Sequence, residues 1–188
     1  MTGRDDLQAL LLTPEEAVAL DAPGSKEAAV LVPLYRSGTG LRAIFTRRRD
    51  DLEHHPGEIS FPGGRRNGPE EHLRETALRE AEEEIGLPRA EVDVVGALPP
   101  VGTFVTSYRV HPFVGLLPSS RTWTLQPDEV DEVLDLSLAD LLSGFEMKRL
   151  LGKGVPIRTA TYTVDGHLVW GATARMVQLL LERLAPVL

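Results

Sequence analysis

The chain has 188 residues, no cysteine and a formal net charge of −8. This length supports one domain with a substantial buried core, and 42% hydrophobic with 26% charged residues is typical of a soluble globular protein. The lack of cysteine excludes disulfides, thiolate metal sites and a cysteine nucleophile. The negative charge argues against general binding to nucleic acids or membranes, and the first residues lack the apolar core of a signal peptide. We therefore predict a cytoplasmic protein that binds neither.

The predicted elements alternate between strands and helices without a regular βαβ repeat. The first is a helical segment over residues 4–20, in which Thr13 is a candidate N-cap and Pro14 the first helical residue. Hydrophobic runs predict further elements: strands over 28–35, 41–46, 58–61, 92–98, 110–117 and 160–164, and helices over 137–145 and 173–184. This order favours a mixed sheet between helices in a single domain spanning residues 1–188.

The most informative helix is predicted to begin near Gly68 and Pro69 and to end at Gly86. Within it, residues 79–84 read Arg-Glu-Ala-Glu-Glu-Glu. At helical spacing the three acidic residues that share a face are Glu80, Glu83 and Glu84. Adjacent carboxylates repel one another, and a hard cation such as Mg²⁺ or Mn²⁺, which takes oxygen ligands, would stabilise them. The alternative is an ordinary solvated helix face.

Two stretches carry a resemblance to a known family: Phe-Pro-Gly-Gly at Phe61–Gly64, and Arg-Glu-Ala-Glu-Glu-Glu-Ile-Gly-Leu at Arg79–Leu87. They resemble the Nudix hydrolases, whose box has a glycine, five residues, a glutamate, seven residues and Arg-Glu-U-x-Glu-Glu-x-Gly-U, where U is aliphatic. In this chain the box spans residues 64–87. Its first half departs: Glu70 keeps the glycine spacing but lies one residue too far from the arginine, and Glu71 does the reverse.

The added residue, with an upstream pattern, resembles the Nudix enzymes that act as coenzyme A diphosphatases. Ile44–Arg48 and Gly57 match that pattern, whereas Arg49 replaces a small residue and Glu53 an arginine. Further similarity lies in residues 96–117 and 169–174.

The resemblance implies an α/β/α Nudix fold with a mixed sheet and a small nucleotide substrate. The implied reaction is metal-dependent cleavage of the diphosphate bond of coenzyme A or its thioesters, giving 4′-phosphopantetheine and adenosine 3′,5′-bisphosphate. Two alternatives stay open. One is a Nudix hydrolase of ADP-ribose, a dinucleotide or a damaged nucleoside triphosphate. The other is a non-catalytic ligand-binding regulator, against which the intact acidic run argues.

Cleavage of an anionic diphosphate requires charge neutralisation and a positioned water, which carboxylate-held Mg²⁺ or Mn²⁺ supplies. We predict as metal ligands Glu80, Glu83, Glu84 and the carbonyl of Gly64 or its neighbour, and as catalytic residues Glu83, Glu84, Arg79 and Glu129. Glu83 is a further ligand or the base, and Arg79, four residues before it, orients the carboxylates. Glu129 comes from a second acidic run over 128–132, for which a solvated helix start is the alternative.

The predicted substrate-binding residues are Arg48, Arg47, Gly63 and Arg65. Arginine suits phosphate recognition, and Arg48 occupies the arginine of the coenzyme A pattern. The alternative for these arginines is a solubilising surface. The apolar C-terminal run packs on its own domain or, as the homodimer alternative, on a second subunit.

Overall fold

A computed structural model describes residues 3–38, 40–51, 57–103, 106–152 and 155–188. The sequence departure at Glu53 lies outside the described residues. Two helices, α1 (Arg4–Leu10) and α2 (Pro14–Ala19), occupy the N-terminal segment predicted as helical. A capping box starts α2, because the Thr13 hydroxyl accepts from the Glu16 amide at 3.2 Å and the Glu16 carboxylate accepts from the Thr13 amide at 2.9 Å.

In the part of the chain described, eight strands form the main sheet. They are β1 (Lys26–Ser37), β2 (Gly40–Arg48), β3 (Ile59–Ser60), β4 (Gly63–Arg65), β5 (Asp93–Ala97), β6 (Val101–Gly102), β7 (Tyr108–Leu116) and β8 (Val130–Ser137). The order is β3-β2-β1-β7-β5, with β4 paired to β1, β6 to β7 and β8 to β2. Only the β1–β7 pair is parallel among these strands. The predicted mixed sheet is therefore confirmed.

Helices cover both faces of this sheet. On one face lies α3 (Leu73–Ile85), and on the other α1, α4 (Leu138–Ser143) and α5 (Gly171–Leu184). A small antiparallel sheet of β9 (Phe145–Gly152), β10 (Val155–Val164) and β11 (His167–Val169) joins the second side. Short 3₁₀ turns are Arg89–Glu91 and Ala185–Val187. The apolar side of α5 is buried in this core, which places the C-terminal run on its own domain.

The predicted start of the acidic helix is wrong by one turn. Helix α3 begins at Leu73 rather than near Gly68 and Pro69, and its first backbone bond runs from the Thr76 amide to the His72 carbonyl at 3.0 Å. The preceding residues are held as a loop because Arg66 Nε donates to the Glu71 carbonyl at 2.6 Å. Gly86 ends the helix in a left-handed conformation, φ 65°, as the sequence predicts.

The helix alternative for residues 128–132 is also wrong, since this run leads into strand β8. Its apolar residues, Val130, Leu134 and Leu136, are buried, while the acidic ones between them face outward or pair with β2. The helix predicted over 137–145 is shorter, because a strand begins at Phe145. No helix among the described residues is long and apolar enough to span a bilayer.

Candidate active site

Helix α3 lies close to the sheet because small side chains line its inner side. Ala77 and Ala81 are fully buried against β1 and its neighbours, and Ile85 completes the buried stripe. Close approach of a helix to a sheet needs small residues at the contact. This packing carries Glu80 and Glu84, which flank the stripe, to the short strand β4.

Strand β4 meets these carboxylates with glycines. A Cβ atom at Gly64 would overlap the Glu80 carboxylate, so a larger residue would displace that carboxylate from its position. The Gly63 amide donates to Glu84 Oε2 at 3.3 Å. A Cβ at Gly63 would in turn overlap the backbone of Ala29 and Val30 in β1. The two glycines therefore bring the sheet backbone directly against the acidic face of α3.

Burial raises the pKa of both carboxylates and so makes them weaker acids than usual. Glu84 is 7% exposed, and this burial together with the nearby charge of Glu80 raises its pKa to about 8. The Gly63 amide and the positive charge of Arg48 counter that rise only in part. Burial also raises the pKa of Glu80, although Arg79 acts in the opposite direction. The negative charge of Glu129 adds to the rise at both carboxylates, which places this predicted residue in the electrostatic field of the site.

Arg79 connects the acidic face to the loop before the helix. Its Nη1 donates to Glu80 Oε1 at 2.8 Å and to Glu83 Oε2 at 3.0 Å. Its Nη2 donates to the Arg65 carbonyl at 3.1 Å, and its Nε to Glu71 Oε1 at 2.8 Å. The guanidinium is 14% exposed and the Glu83 side chain 58%. Arg79 thus makes the expected contact with Glu83, but its contacts with Glu80 and Glu71 are better shielded from solvent.

The sequence does not decide whether Glu70 or Glu71 is the first glutamate of the box, and the structure favours Glu71. Besides Arg79, it accepts from the Asn67 amide at 2.7 Å and from the Thr76 hydroxyl at 2.8 Å. The bond from Arg79 is the main reason that its pKa falls to about 2. Glu70 is exposed. Glu71 therefore keeps the spacing to Arg79 that the box requires, and the added residue lies between Gly64 and Glu71.

The predicted arginines have different surroundings. Arg47 forms ion pairs with Asp131 and Glu132, so acidic residues of β8 already balance its charge. The charge of Arg48 lowers the pKa of Glu84 slightly, and its buried Nε has no hydrogen-bond partner among the described residues. Arg65 is exposed and points its guanidinium toward the Tyr108 ring. Of the three, Arg65 is exposed and Arg48 keeps a buried Nε without a partner, whereas Arg47 is already paired with carboxylates.

The carboxylates fit a hard divalent cation. Glu80 and Glu84 supply oxygen donors, and their raised pKa values show that negative charge there is costly without a neighbouring cation. Within the described ranges, no three acidic or histidine side chains are grouped tightly enough to form a preformed metal cluster. Arg79 explains this, because it draws Glu80 and Glu83 to its own guanidinium. Glu80 and Glu84 are the residues that would hold the ion.

Comparison with known proteins agrees with this fold. A family model described as the NUDIX domain matches residues 25–151. Nudix hydrolase NudL of Salmonella heidelberg, which is uncharacterized, is 34% identical over 171 residues, covering 89% of this chain and 86% of that protein. NudL of Salmonella newport is 35% identical over 156 residues, covering 81% and 80%.

Solved structures show the same fold. RenU, a Nudix hydrolase from M. smegmatis, has a TM-score of 0.57 and 17% identity, covering 90% of each chain. The Nudix domain of Shewanella oneidensis NrtR, crystallised with ADP ribose, has a TM-score of 0.51 and 20% identity, covering 70% of this chain and 88% of that chain.

The fold and the acidic helix define a hydrolase of nucleotide derivatives that acts on diphosphate bonds. The chain belongs to the Nudix hydrolase family. Nudix hydrolases generally use divalent cations such as Mg²⁺ or Mn²⁺.

Proposed function

We propose that this Nudix hydrolase cleaves the diphosphate bond of coenzyme A or its thioesters, with Mg²⁺ or Mn²⁺ as cofactor. The observation that carries the proposal is the position of Arg48. This residue occupies the arginine of the coenzyme A pattern, its charge acts on buried Glu84, and its Nε is unpartnered among the described residues. A guanidinium that acts electrostatically on the acidic helix and keeps an unpartnered Nε among the described residues is suited to bind one phosphate of the bridge.

Glu80 and Glu84 hold the cation in this proposal, and a bound divalent cation neutralises charge on the diphosphate and makes water more acidic. Arg79 keeps Glu80 and Glu83 in place through bonds of 2.8 and 3.0 Å. Glu83 and Glu129, which are exposed at the edge of the site, are the two candidates to accept a proton from water. Gly63 and Gly64 let the substrate and the carboxylates approach the backbone closely.

The departure at Arg49 does not oppose this assignment. Its Nη2 pairs with Asp51 at 2.6 Å and its Nη1 donates to the Pro127 carbonyl at 2.6 Å. The Arg49 side chain thus connects two loops, and Arg48 is the arginine of this group that we assign to the substrate. The homodimer and the cytoplasmic location stay predictions from the sequence.

The test is product analysis by mass spectrometry with coenzyme A, ADP-ribose, diadenosine polyphosphates and 8-oxo-dGTP, each with Mg²⁺, Mn²⁺ or EDTA. We expect metal-dependent release of 4′-phosphopantetheine from coenzyme A at a higher rate than any other turnover. Faster cleavage of another substrate would keep the hydrolase and reject the coenzyme A assignment.

A further inference from the structure

A surface pocket of about 320 Å³ opens where β1, β4 and β7 meet. Its lining includes Lys26, Glu27, Arg65, Arg66 and Tyr108. Three cations around one opening are unusual in a chain with a net charge of −8. Pockets of several hundred Å³ with a few converging polar groups are typical of sites for small molecules.

Two of the cations are held by the same aromatic ring. Lys26 Nζ lies 5.6 Å and Arg65 Cζ 5.4 Å from the centroid of the Tyr108 ring. Neither side chain makes an ion pair with a carboxylate in the described part of the chain, unlike Arg47 or Arg79. Contact with the ring face orients a cation without neutralising its charge. Lys26 and Arg65 are therefore preorganised and available to an anion.

The remaining charges leave the pocket positive. Glu27, an acidic residue of the lining, accepts from His111 at 2.7 Å and from Arg109 Nη1 at 3.4 Å. Arg109 also pairs with Asp21 at 2.7 Å and so offsets the charge of Glu27 in part, which leaves one carboxylate against the three cations of the lining. Arg66 donates to the backbone carbonyls of Glu71 and Pro69, which fixes the guanidinium and keeps its charge. An anion in this pocket thus meets fixed positive groups.

Strand β4 connects this pocket to the acidic face of α3. In register with β1, Gly64 lies opposite Ala29 and Arg65 opposite Ala28. Successive residues of a strand point to opposite faces of the sheet. Gly64 accordingly faces Glu80, whereas Arg65 faces Tyr108 on the other side. One ligand that reaches around the end of this short strand would touch both places.

We propose that the pocket of Lys26, Arg65 and Tyr108 is a second anion subsite, which binds a phosphomonoester carried by the nucleotide in addition to its diphosphate. For the nucleotide nature of the ligand this inference rests on the proposed function. The subsite makes the enzyme select diphosphate substrates that bear an extra phosphate on a ribose. Hydrogen bonds to charged groups provide that discrimination, because a ligand lacking the phosphate leaves the cations unpaired.

The test is calorimetric titration of the full chain in EDTA, which excludes metal-dependent turnover. The ligand pairs are coenzyme A against 3′-dephospho-coenzyme A, and NADP⁺ against NAD⁺, so that a 3′- and a 2′-phosphate are compared. We expect at least one phosphorylated member to bind on the order of tenfold more tightly than its partner. The double variant Lys26→Gln/Arg65→Gln should lose this preference while keeping the Arg65 backbone carbonyl that holds Arg79.

The matched control is Lys148→Gln/Arg175→Gln, which removes the same two charges on β9 and α5 and should keep the preference. Thermal unfolding of each variant verifies that it is folded. Equal binding within both pairs, or an unchanged preference in the Lys26/Arg65 variant, would overturn the subsite. Preference without cleavage of coenzyme A would reject the proposed substrate and retain the subsite. Cleavage of coenzyme A together with equal binding within both ligand pairs would retain the proposed substrate and reject the subsite.

Discussion

Two glutamates at opposite ends of the same helical region have opposite environments. Glu71, just before α3, receives bonds from Arg79, Thr76 and a backbone amide, and its pKa falls to about 2. Glu84, near the end of α3, is more deeply buried, receives one long amide bond, and its pKa rises to about 8. Identical side chains therefore serve different purposes according to how many positive partners they have.

The difference suggests that Glu71 stabilises the fold, whereas Glu84 takes part in the proposed reaction. A carboxylate with every partner supplied by the protein stabilises the fold, whereas a buried carboxylate short of partners destabilises it until a cation arrives. Arg79 lies between the two sets and contributes to both, since it contacts Glu71 on one side and Glu80 on the other. Four predictions test this division.

The largest effect is expected for Glu84→Gln. Loss of a carboxylate that holds the cation should lower turnover by about 1000-fold, or about 4 kcal/mol of transition-state stabilisation. The metal-free variant should be at least as stable as the wild type above neutral pH, because glutamine removes a buried group that would ionise. Steady-state kinetics and urea unfolding measure the two effects. Glu82→Gln, a surface change on the same helix, is the control, and substantial activity in Glu84→Gln would refute the assignment.

Glu71→Gln should instead destabilise the fold, by about 3 kcal/mol, because it leaves Arg79 short of its main partner in a mostly buried cluster. Folding lowers the pKa of Glu71 from 4.5 to about 2, so its stabilising contribution is complete above the higher value and is lost as the pH falls toward the lower. Urea unfolding across this acid range should show the wild type and variant converging. The exposed Glu82–Arg89 pair gives the comparison, with an expected coupling below about 1 kcal/mol.

Metal ions should stabilise the wild type against unfolding, and this stabilisation should be larger at alkaline pH. At about 100 times the dissociation constant, Mg²⁺ adds about 2.7 kcal/mol to the free energy of unfolding. Folding raises the pKa of Glu84 from 4.5 to about 8, so its contribution to metal-free stability is complete below the lower value and lost as the pH rises through the higher. Thermal unfolding with Mg²⁺ or EDTA at about pH 6 and about pH 9 should show the larger metal-induced shift at the higher pH. Equal metal-induced shifts at the two pH values would show that Glu84 does not bind the ion.

Gly64→Ala is expected to have the smallest effect, a loss of about 2 kcal/mol in stability, because the added methyl overlaps the Glu80 carboxylate. Displacement of Glu80 should lower turnover together with stability. Gly38→Ala is the matched control, since a Cβ there meets open space. Gly38→Ala should be neutral or slightly stabilising, because alanine lowers the entropy of the unfolded chain, and a similar loss in both variants would show that the overlap with Glu80 is not the cause.

The sequence was most informative where spacing alone determines position. Helical periodicity predicted that Glu80 and Glu84 lie beside the buried stripe of α3. The glycine pair was predicted to follow a strand over 58–61, whereas Gly63 and Gly64 belong to strand β4, which meets these carboxylates. It was least informative before the helix, where Glu70 and Glu71 fit the box equally well by distance. Only the fold brings Glu71 to Arg79, Asn67 and Thr76. The spacing of the box does not reveal where in the loop the extra residue lies.

Long-range pairing was the other feature that local signals missed. The acidic character of β8 obscures its alternation of buried Val130, Leu134 and Leu136, and its pairing with β2 is decided by residues far along the chain. Lys26 and Tyr108 likewise meet only because β1 and β7 lie parallel and in register. The sequence thus predicted which residues of one helix share a face, but not their partners from distant strands.

The alternating pleat of β4 also bears on how this enzyme could be re-engineered. Because Gly64 and Arg65 face opposite sides, a library at Lys26, Arg65 and Tyr108 would change the proposed anion subsite and leave the carboxylates of α3 unaltered. Directed evolution of substrate range can therefore proceed on one side of a three-residue strand without repeatedly sacrificing rate on the other.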